Sequence, residues 1–238
     1  MDFENLKQTF QDYRMHRSYD RFMAPLEKAF LRKHRKRLLS GITGKILEIG
    51  SGTGVNLLFY TSPEEVVLTE PSWPMCLQLV EKTGGRPFQI LVCQADRLPF
   101  PAGCFDAAVS TLVLCSVPHP RRTLSEIHRV LGTRGLFLFL EHIRGERLRA
   151  LFQRLIRPLW KRLSSGCHPD RETIKYIELS GYRILETHIF DPSQLFSLKA
   201  RILMQVALPF VRGCAEKTDG SFPASTTLKS PLEIDQNA

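Results

Sequence analysis

Long apolar stretches are missing from this chain of 238 residues. A membrane-spanning helix requires roughly 18 consecutive apolar residues. The longest apolar run here, Ile202–Val211, is broken by Gln205 and Pro209. The opening residues, Met1-Asp-Phe-Glu-Asn, hold no apolar secretory core, so the expectation is a cytoplasmic chain with neither a transmembrane segment nor a signal peptide. Cys-x-x-Cys pairs are missing as well. Cys76, Cys93, Cys104, Cys115, Cys167 and Cys214 are scattered, which speaks against a disulfide framework, predicts no metal site and favours reduced thiols. Internal repeats are absent. Acids are in the minority, 24 Asp and Glu against 33 Lys and Arg, leaving a formal charge of +9 and a surface that favours anionic partners. Basic charge without interleaved aromatics is poor grounds for nucleic acid. There is also no N/D-P-P-Y/F segment to hold a base amine and no Pro-Cys nucleophile, so a nucleic-acid partner is not expected.

What is present has the composition of a globular protein, 43% hydrophobic and 24% charged, in a chain of single-domain size. Residues 1–40 read as a helical basic extension, with two helices over 3–39 separated near Ala24-Pro25. The second carries Lys28, Arg32, Lys33, Arg35, Lys36 and Arg37 among Phe30, Leu31, Leu38 and Leu39. From 41 to 217 short apolar runs alternate with helical segments, the pattern of a mostly parallel sheet with crossover helices. Strands are expected near 45–50, 65–70, 88–93, 105–111, 135–141, 182–190 and 207–216, and helices near 53–60, 72–82, 120–131, 145–164 and 170–179. The strands do not alternate, so both sheet faces should be covered. Residues 218–238, rich in Ser, Thr, Pro and charge, read as a disordered tail.

The segment Leu47-Glu48-Ile49-Gly50-Ser51-Gly52-Thr53-Gly54 joins a strand to a helix, where open α/β folds bind ligands. Glycines there let the backbone approach a ligand closely. The spacing is G-x-G-x-G, and Val55 stands where a dinucleotide fingerprint has its third glycine. A pyrophosphate is therefore not the expected guest, and the acid Glu48 suits a positively charged one. Glu70 follows Gly50 by twenty residues. It suits the two hydroxyls of a ribose, or a helix N-terminus that favours an acid.

With these residues in place, 44–142 resembles the class I S-adenosylmethionine-dependent methyltransferases, including those of quinone biosynthesis. Beyond the glycine loop the resemblance rests on Gln94-Ala95-Asp96-Arg97-Leu98-Pro99-Phe100 and on Phe105-Asp106. It implies a Rossmann-like α/β fold with a mostly parallel seven-stranded sheet, and S-adenosyl-L-methionine as cofactor. That cofactor would be held by Glu48, Gly50, Ser51, Gly52, Gly54, Glu70, Gln94, Ala95, Asp96 and Leu112. Gln94 stands where the family often has aspartate, and its side-chain oxygen can accept the adenine amino group. A narrower set, Thr111–Val117, Gly54 to Tyr60, Leu140-Glu141-His142, Gly166-Cys167-x-x-x-Arg171-Glu172 and Arg212–Lys217, resembles the methyltransferase-like alkyl-thiol methyltransferases over 19–217, with 192–210 matching poorly. That branch typically begins with an apolar anchoring helix. The polar, basic start of this chain points instead to surface association.

Methyl transfer from a sulfonium needs alignment and exclusion of water, and a thiol needs little more because its thiolate is accessible near neutral pH. Cys115, Ser116, His119 and Glu141 are expected around the acceptor, with Cys115 as wall rather than nucleophile. His142 is the candidate base, or a hydrogen-bonded pocket histidine. The helix at 145–164 carries seven basic residues over 144–162 and reads as a surface for anionic membrane, a cover for an apolar pocket, or an ordinary amphipathic helix. The expected acceptor is a small lipophilic molecule such as an alkyl thiol, with a quinone or phenol as the alternative. A nicotinamide-dependent oxidoreductase or a non-catalytic module remain as other readings.

Overall fold

Successive residues of a strand face opposite ways, and here both directions are apolar. In β1 (Lys45–Ile49), Ile46, Leu47 and Ile49 are all fully buried, so the strand needs a helical layer on each face. In the computed structural model, which describes residues 20–21, 23–164, 166–195 and 209–218, it has both. Leu47, Ile49, Val67, Ala108, Phe137 and Phe139 point into one core with Leu124, Ile127 and Ile177 from the covering helices. Ile46, Val66, Leu68, Val109, Leu138 and Leu140 point into a second with Phe30, Leu31, Leu39 and Leu79.

The sheet order is β3-β2-β1-β4-β5-β7-β6, with β2 at Glu65–Thr69, β3 at Gln89–Leu91, β4 at Phe105–Thr111, β5 at Leu131–His142, β6 at Tyr182–Phe190 and β7 at Phe210–Lys217. β1 pairs in parallel with β2 and β4, β2 with β3, and β4 with β5. β7 runs antiparallel to both of its neighbours, with Phe139 opposite Gly213 on one side and Thr187 opposite Gly213 on the other. The sheet is thus seven-stranded and mostly parallel, as expected. Helices α1 (Arg32–Leu39), α2 (Trp73–Thr83), α3 (Pro120–Val130), α4 (Arg147–Leu163) and α5 (Thr173–Glu178) cover it. No helix among the described residues is long and apolar enough to cross a membrane.

Two expectations are corrected. The helix expected at 53–60 is only a 3-10 turn, Leu57–Phe59. Gly54 has φ 84°, outside the helical basin, and a Cβ there would lie 2.7 Å from Leu57 and Leu79 methyls, so it closes the loop by packing. Nor is there a break at Ala24-Pro25: residues 23–26 are helical and pass directly into a π turn, Glu27–Leu31, and then α1. A proline removes a ladder bond, and the π turn just after it takes up the irregularity without ending the helix. Residues 1–19 and 219–238 lie outside the described residues, so most of the first expected helix and nearly all of the tail do too.

Residues 27–39 are therefore a layer of the same core as the sheet. Truncating fully buried Leu39 to alanine should cost about 2–5 kcal/mol, measured by urea denaturation. A change under about 0.5 kcal/mol would mean that this helix is a detachable arm.

Candidate active site

At the carboxyl edge of β1, β2 and β4 the loops diverge around a cavity of about 400 Å³, a size suited to a small-molecule ligand. One side is the glycine loop, Gly50 to Thr53. Glu70, Pro71, Ser72 and Met75 follow from the β2–α2 junction, then Gln94, Ala95 and Asp96 after β3. Thr111, Leu112, Val113, Ser116, Val117 and Pro118 after β4 close the other side. Met23, Glu27 and Arg35 reach in from the N-terminal helix.

The loops are held by three buried carboxylates, each at or just past a strand's end. Glu48 lies beneath the glycine loop, 2% exposed. It accepts from Asn56 Nδ2 at 3.0 Å and from the Tyr60 hydroxyl at 2.5 Å. Burial raises its pKa to about 7, while Tyr60, Asn56 and Arg35 pull the other way. Glu70 accepts from Gly52 N at 3.0 Å and Ser72 N at 2.9 Å, and burial lifts its pKa. Its oxygens tie the glycine loop to β2 and still border the cavity. Glu141 takes Ser110 Oγ at 2.6 Å, Val113 N and Leu114 N at 3.1 Å, and Cys115 N at 3.3 Å. That grip, with Leu112 N donating to Leu140 O at 2.8 Å, holds Leu112 at φ 61°. Such a conformation persists in a bulky residue only where the surroundings over-determine it.

Arg35 is the residue sequence reasoning passed over. It is 3% exposed. Its Nε donates to Glu27 at 3.1 Å, Nη2 lies 2.9 Å from the same carboxylate, and Nη1 donates to Asn56 Oδ1 at 3.0 Å and Thr111 Oγ1 at 2.6 Å. Asn56 Nδ2 also reaches Thr111 Oγ1 at 2.9 Å. One network thus links the N-terminal helix, the glycine loop and the end of β4. In the sequence Arg35 is one of six basic residues on one helix, and only the contact across 76 positions reveals its place.

Of the expected cofactor residues, Gly50, Ser51, Gly52, Glu70, Gln94, Ala95, Asp96 and Leu112 are brought together at the cavity, as is Ser116. The rest are not. Glu48 and Gly54 sit below the loop, committed to support and packing. Glu141 is fully buried behind the β4 loop. His119 faces a separate surface depression with Pro120, Arg121, Arg122 and Tyr176, because Pro120 starts α3 and turns the chain away. His142 packs its ring 4.5 Å from that of Phe210 and turns Nδ1 to Cys167 Sγ at 3.3 Å. Cys115, 1% exposed, faces the same interior spot. His142 is therefore not placed to take a proton from an acceptor in the cavity.

A Cβ on Gly50 would meet Val113 Cγ2 at 2.6 Å, so that glycine is required by packing, whereas a Cβ on Gly52 would meet nothing nearer than 4.0 Å, which leaves its backbone open to a ligand. The signature of the methyltransferase domain family matches residues 47–139. The human thiol S-methyltransferase TMT1A is 30% identical over 187 residues, 75% of this chain and 73% of that protein. The rat thiol S-methyltransferase TMT1B is 38% identical over 142 residues, 56% of this chain and 57% of its own. The chain thus spans less than two thirds of the length of the TMT1B relatives it matches, 57% in rat and 61% in human. Among solved structures, a SAM-dependent methyltransferase of Thermotoga maritima superposes with a TM-score of 0.63 at 20% identity, over 87% of this chain and 98% of that one, a likeness of fold.

The raised pKa of Glu48 gives a signed pH dependence. Between about 4.5, its ordinary value, and about 7 the unfolded chain loses this proton and the folded chain keeps it, so the stability Glu48 contributes falls as pH rises through that window. Glu48→Gln removes the titration. The stability difference between parent and variant, from urea melts at pH 4.5 to 7.5, should drift by up to about 3 kcal/mol against the parent as pH rises. A flat difference would show that Glu48 ionises normally.

Proposed function

This chain belongs to the S-adenosylmethionine-dependent methyltransferase family that includes the thiol S-methyltransferases, and on that footing we propose that it methylates the sulfur of a small apolar thiol. The observation that carries the reading is the mixed lining of one cavity: the glycine loop and Glu70 border it together with the apolar Leu112, Val113, Val117 and Pro118. The polar groups suit the cofactor and the apolar ones an acceptor beside it.

Gly50, Ser51 and Gly52 would receive the cofactor's amino acid part. Glu70 would accept from the ribose hydroxyls with the lone pairs its backbone donors leave free, and Gln94, Ala95 and Asp96 would flank the adenine. When bound, the cofactor supplies an electrophilic methyl on a sulfonium with a neutral thioether as leaving group. The chain's task is then placement. Leu112 and Val113, fixed by Glu141, shape the wall beside the glycine loop, and the apolar side chains keep water from the thiolate. No histidine lines the cavity among the described residues. A thiol fits this arrangement better than a quinone or phenol, because its anion forms near neutral pH without a base. Val55 and the absence of a pyrophosphate-binding glycine weigh against the nicotinamide alternative.

Calorimetric titration with S-adenosylmethionine, S-adenosylhomocysteine and NAD tests the cofactor half, and turnover of alkyl thiols against phenols and quinones tests the acceptor. The expected outcome is micromolar binding of the first two ligands only, abolished by Gly52→Arg, whose side chain would occupy the cavity. NAD binding, or none, would overturn the methyltransferase reading. Turnover of phenols but not thiols would overturn the acceptor.

A second surface supports contact with anionic membrane. In α4 the polar Gln153 is fully buried, while Leu148, Leu151, Leu155 and Leu159 are 82%, 54%, 72% and 54% exposed. The helix is turned with its leucines outward. Gln153 is held there by Gly145 N, which donates to its Oε1 at 2.8 Å. Leucines at helical spacing with Arg147, Arg154, Lys161 and Arg162 beside them are the makings of an interfacial helix. The chain should co-sediment with vesicles containing anionic lipid, less at high salt, and Leu148→Glu with Leu155→Glu should release it. Equal binding to neutral vesicles or none would remove the proposal.

A further inference from the structure

Behind the wall of the cavity, three soft ligands meet. Cys115 Sγ, Cys167 Sγ and a His142 ring nitrogen all lie within 4.8 Å of one another, and His142 Nδ1 is 3.3 Å from Cys167 Sγ. They come from three separate segments: the loop after β4, the last residue of β5, and the connection between α4 and α5. The two sulfurs are 1% and 4% exposed at the residue level. The segments are pinned to their surroundings and to one another. Glu141 holds Cys115 N. His168 N donates to Cys115 O at 2.7 Å, and Cys167 N to Ser164 O at 3.1 Å. The trio is thus a framed arrangement, not a chance meeting of mobile side chains.

We propose that Cys115, His142 and Cys167 form a binding site for a zinc-type divalent cation that fastens the β4 loop to the α4–α5 connection. Tetrahedral zinc with S and N ligands sets neighbouring ligand atoms about 3.5–3.8 Å apart, so the observed separations need only small rotations of side chains. Charge also favours a divalent ion. Two thiolates and a neutral imidazole balance +2, and the neighbouring buried Arg171 and Glu141 offset each other. A monovalent ion would leave a net charge in the interior, which is costly. Thiolate and imidazole are the donors zinc takes. Three protein ligands leave a fourth position for a small exogenous ligand, as in sites where zinc is exchangeable or reactive.

The consequence for the cavity follows from where the ligands are attached. Leu112, Val113, Ser116 and Val117 share the loop of Cys115, and Ser164 lies three residues before Cys167. Cys115 Sγ is itself 3.5 Å from Ser116 Oγ. The ion would cross-link two walls of the cavity from behind. This holds whether or not a thiol is the acceptor.

The test uses the whole chain, reduced and freed of metal with a chelator, titrated with zinc against a chromophoric competitor and in parallel with cobalt. One equivalent should bind, cobalt should develop thiolate charge-transfer absorption, and the melting temperature should rise with zinc. Cys167→Ser and Cys115→Ser should each lose the equivalent, while Cys104→Ser keeps it. Zinc X-ray absorption on the unmutated protein should show two sulfur scatterers at about 2.3 Å, an answer independent of whether the variants fold. Failure of the reduced protein to take up an equivalent, a shell of nitrogen and oxygen alone, or uptake unchanged in Cys167→Ser would overturn the site. So would ready formation of a Cys115–Cys167 disulfide in a protein that binds no zinc.

Discussion

The cavity depends on keeping three carboxylates out of water at the carboxyl edge of one sheet. A buried carboxylate is costly unless its oxygens are taken, and here each is taken by the loop it supports. Glu48 is met by Asn56 and Tyr60, Glu70 by Gly52 and Ser72, Glu141 by Ser110 and three consecutive backbone amides. Satisfying the acids and shaping the loops are the same act. The price is rigidity, visible in the left-handed Leu112, a residue that would relax if Glu141 let go. Arg35 adds a fourth clamp from outside the sheet, bonding to both the glycine loop and β4 through Asn56 and Thr111.

Much of this was legible in the chain. Runs such as Lys45–Ile49 and Phe105–Thr111, apolar at neighbouring positions and without regular alternation, marked the parallel strands, since strands covered on both faces carry apolar residues toward both. Glycine spacing with Val55, and the segment Gln94 to Phe100, marked the cofactor side. What sequence could not show was direction. Glu48, Glu141 and His142 occupy the right places along their strands, yet their side chains point beneath the loops and into the interior. Proximity in sequence to a binding edge does not tell which face a residue takes. Cys115, His142 and Cys167 are separated by 27 and 25 positions, so a search for paired cysteines passes over them. Arg35 hid among five other basic residues for the same reason.

The leucine spacing of α4 left open whether its apolar face meets a core, a pocket or an outside surface, and burial decides it: the leucines face outward. Gln153 finds its partners at the end of β5, and the leucines are left to solvent. The ion pairs Arg149–Asp191 at 2.6 Å and Arg157–Asp170 at 3.1 Å anchor the same helix to its neighbours. Polar contacts therefore fix its rotation, and the apolar stripe is what remains for another surface.

The position of β7 has a consequence for synthesis. It is the last strand among the described residues to leave the ribosome, yet it lies inside the sheet, between β5 and β6. Until residues 210–217 emerge, β5 and β6 have no mutual bonds and each presents an unpaired edge, the kind of surface through which nascent chains join one another. A message cut short before that point would yield a polypeptide with most of its core but two sticky margins. The chain escapes this state only when β7 slides in antiparallel and joins both at once.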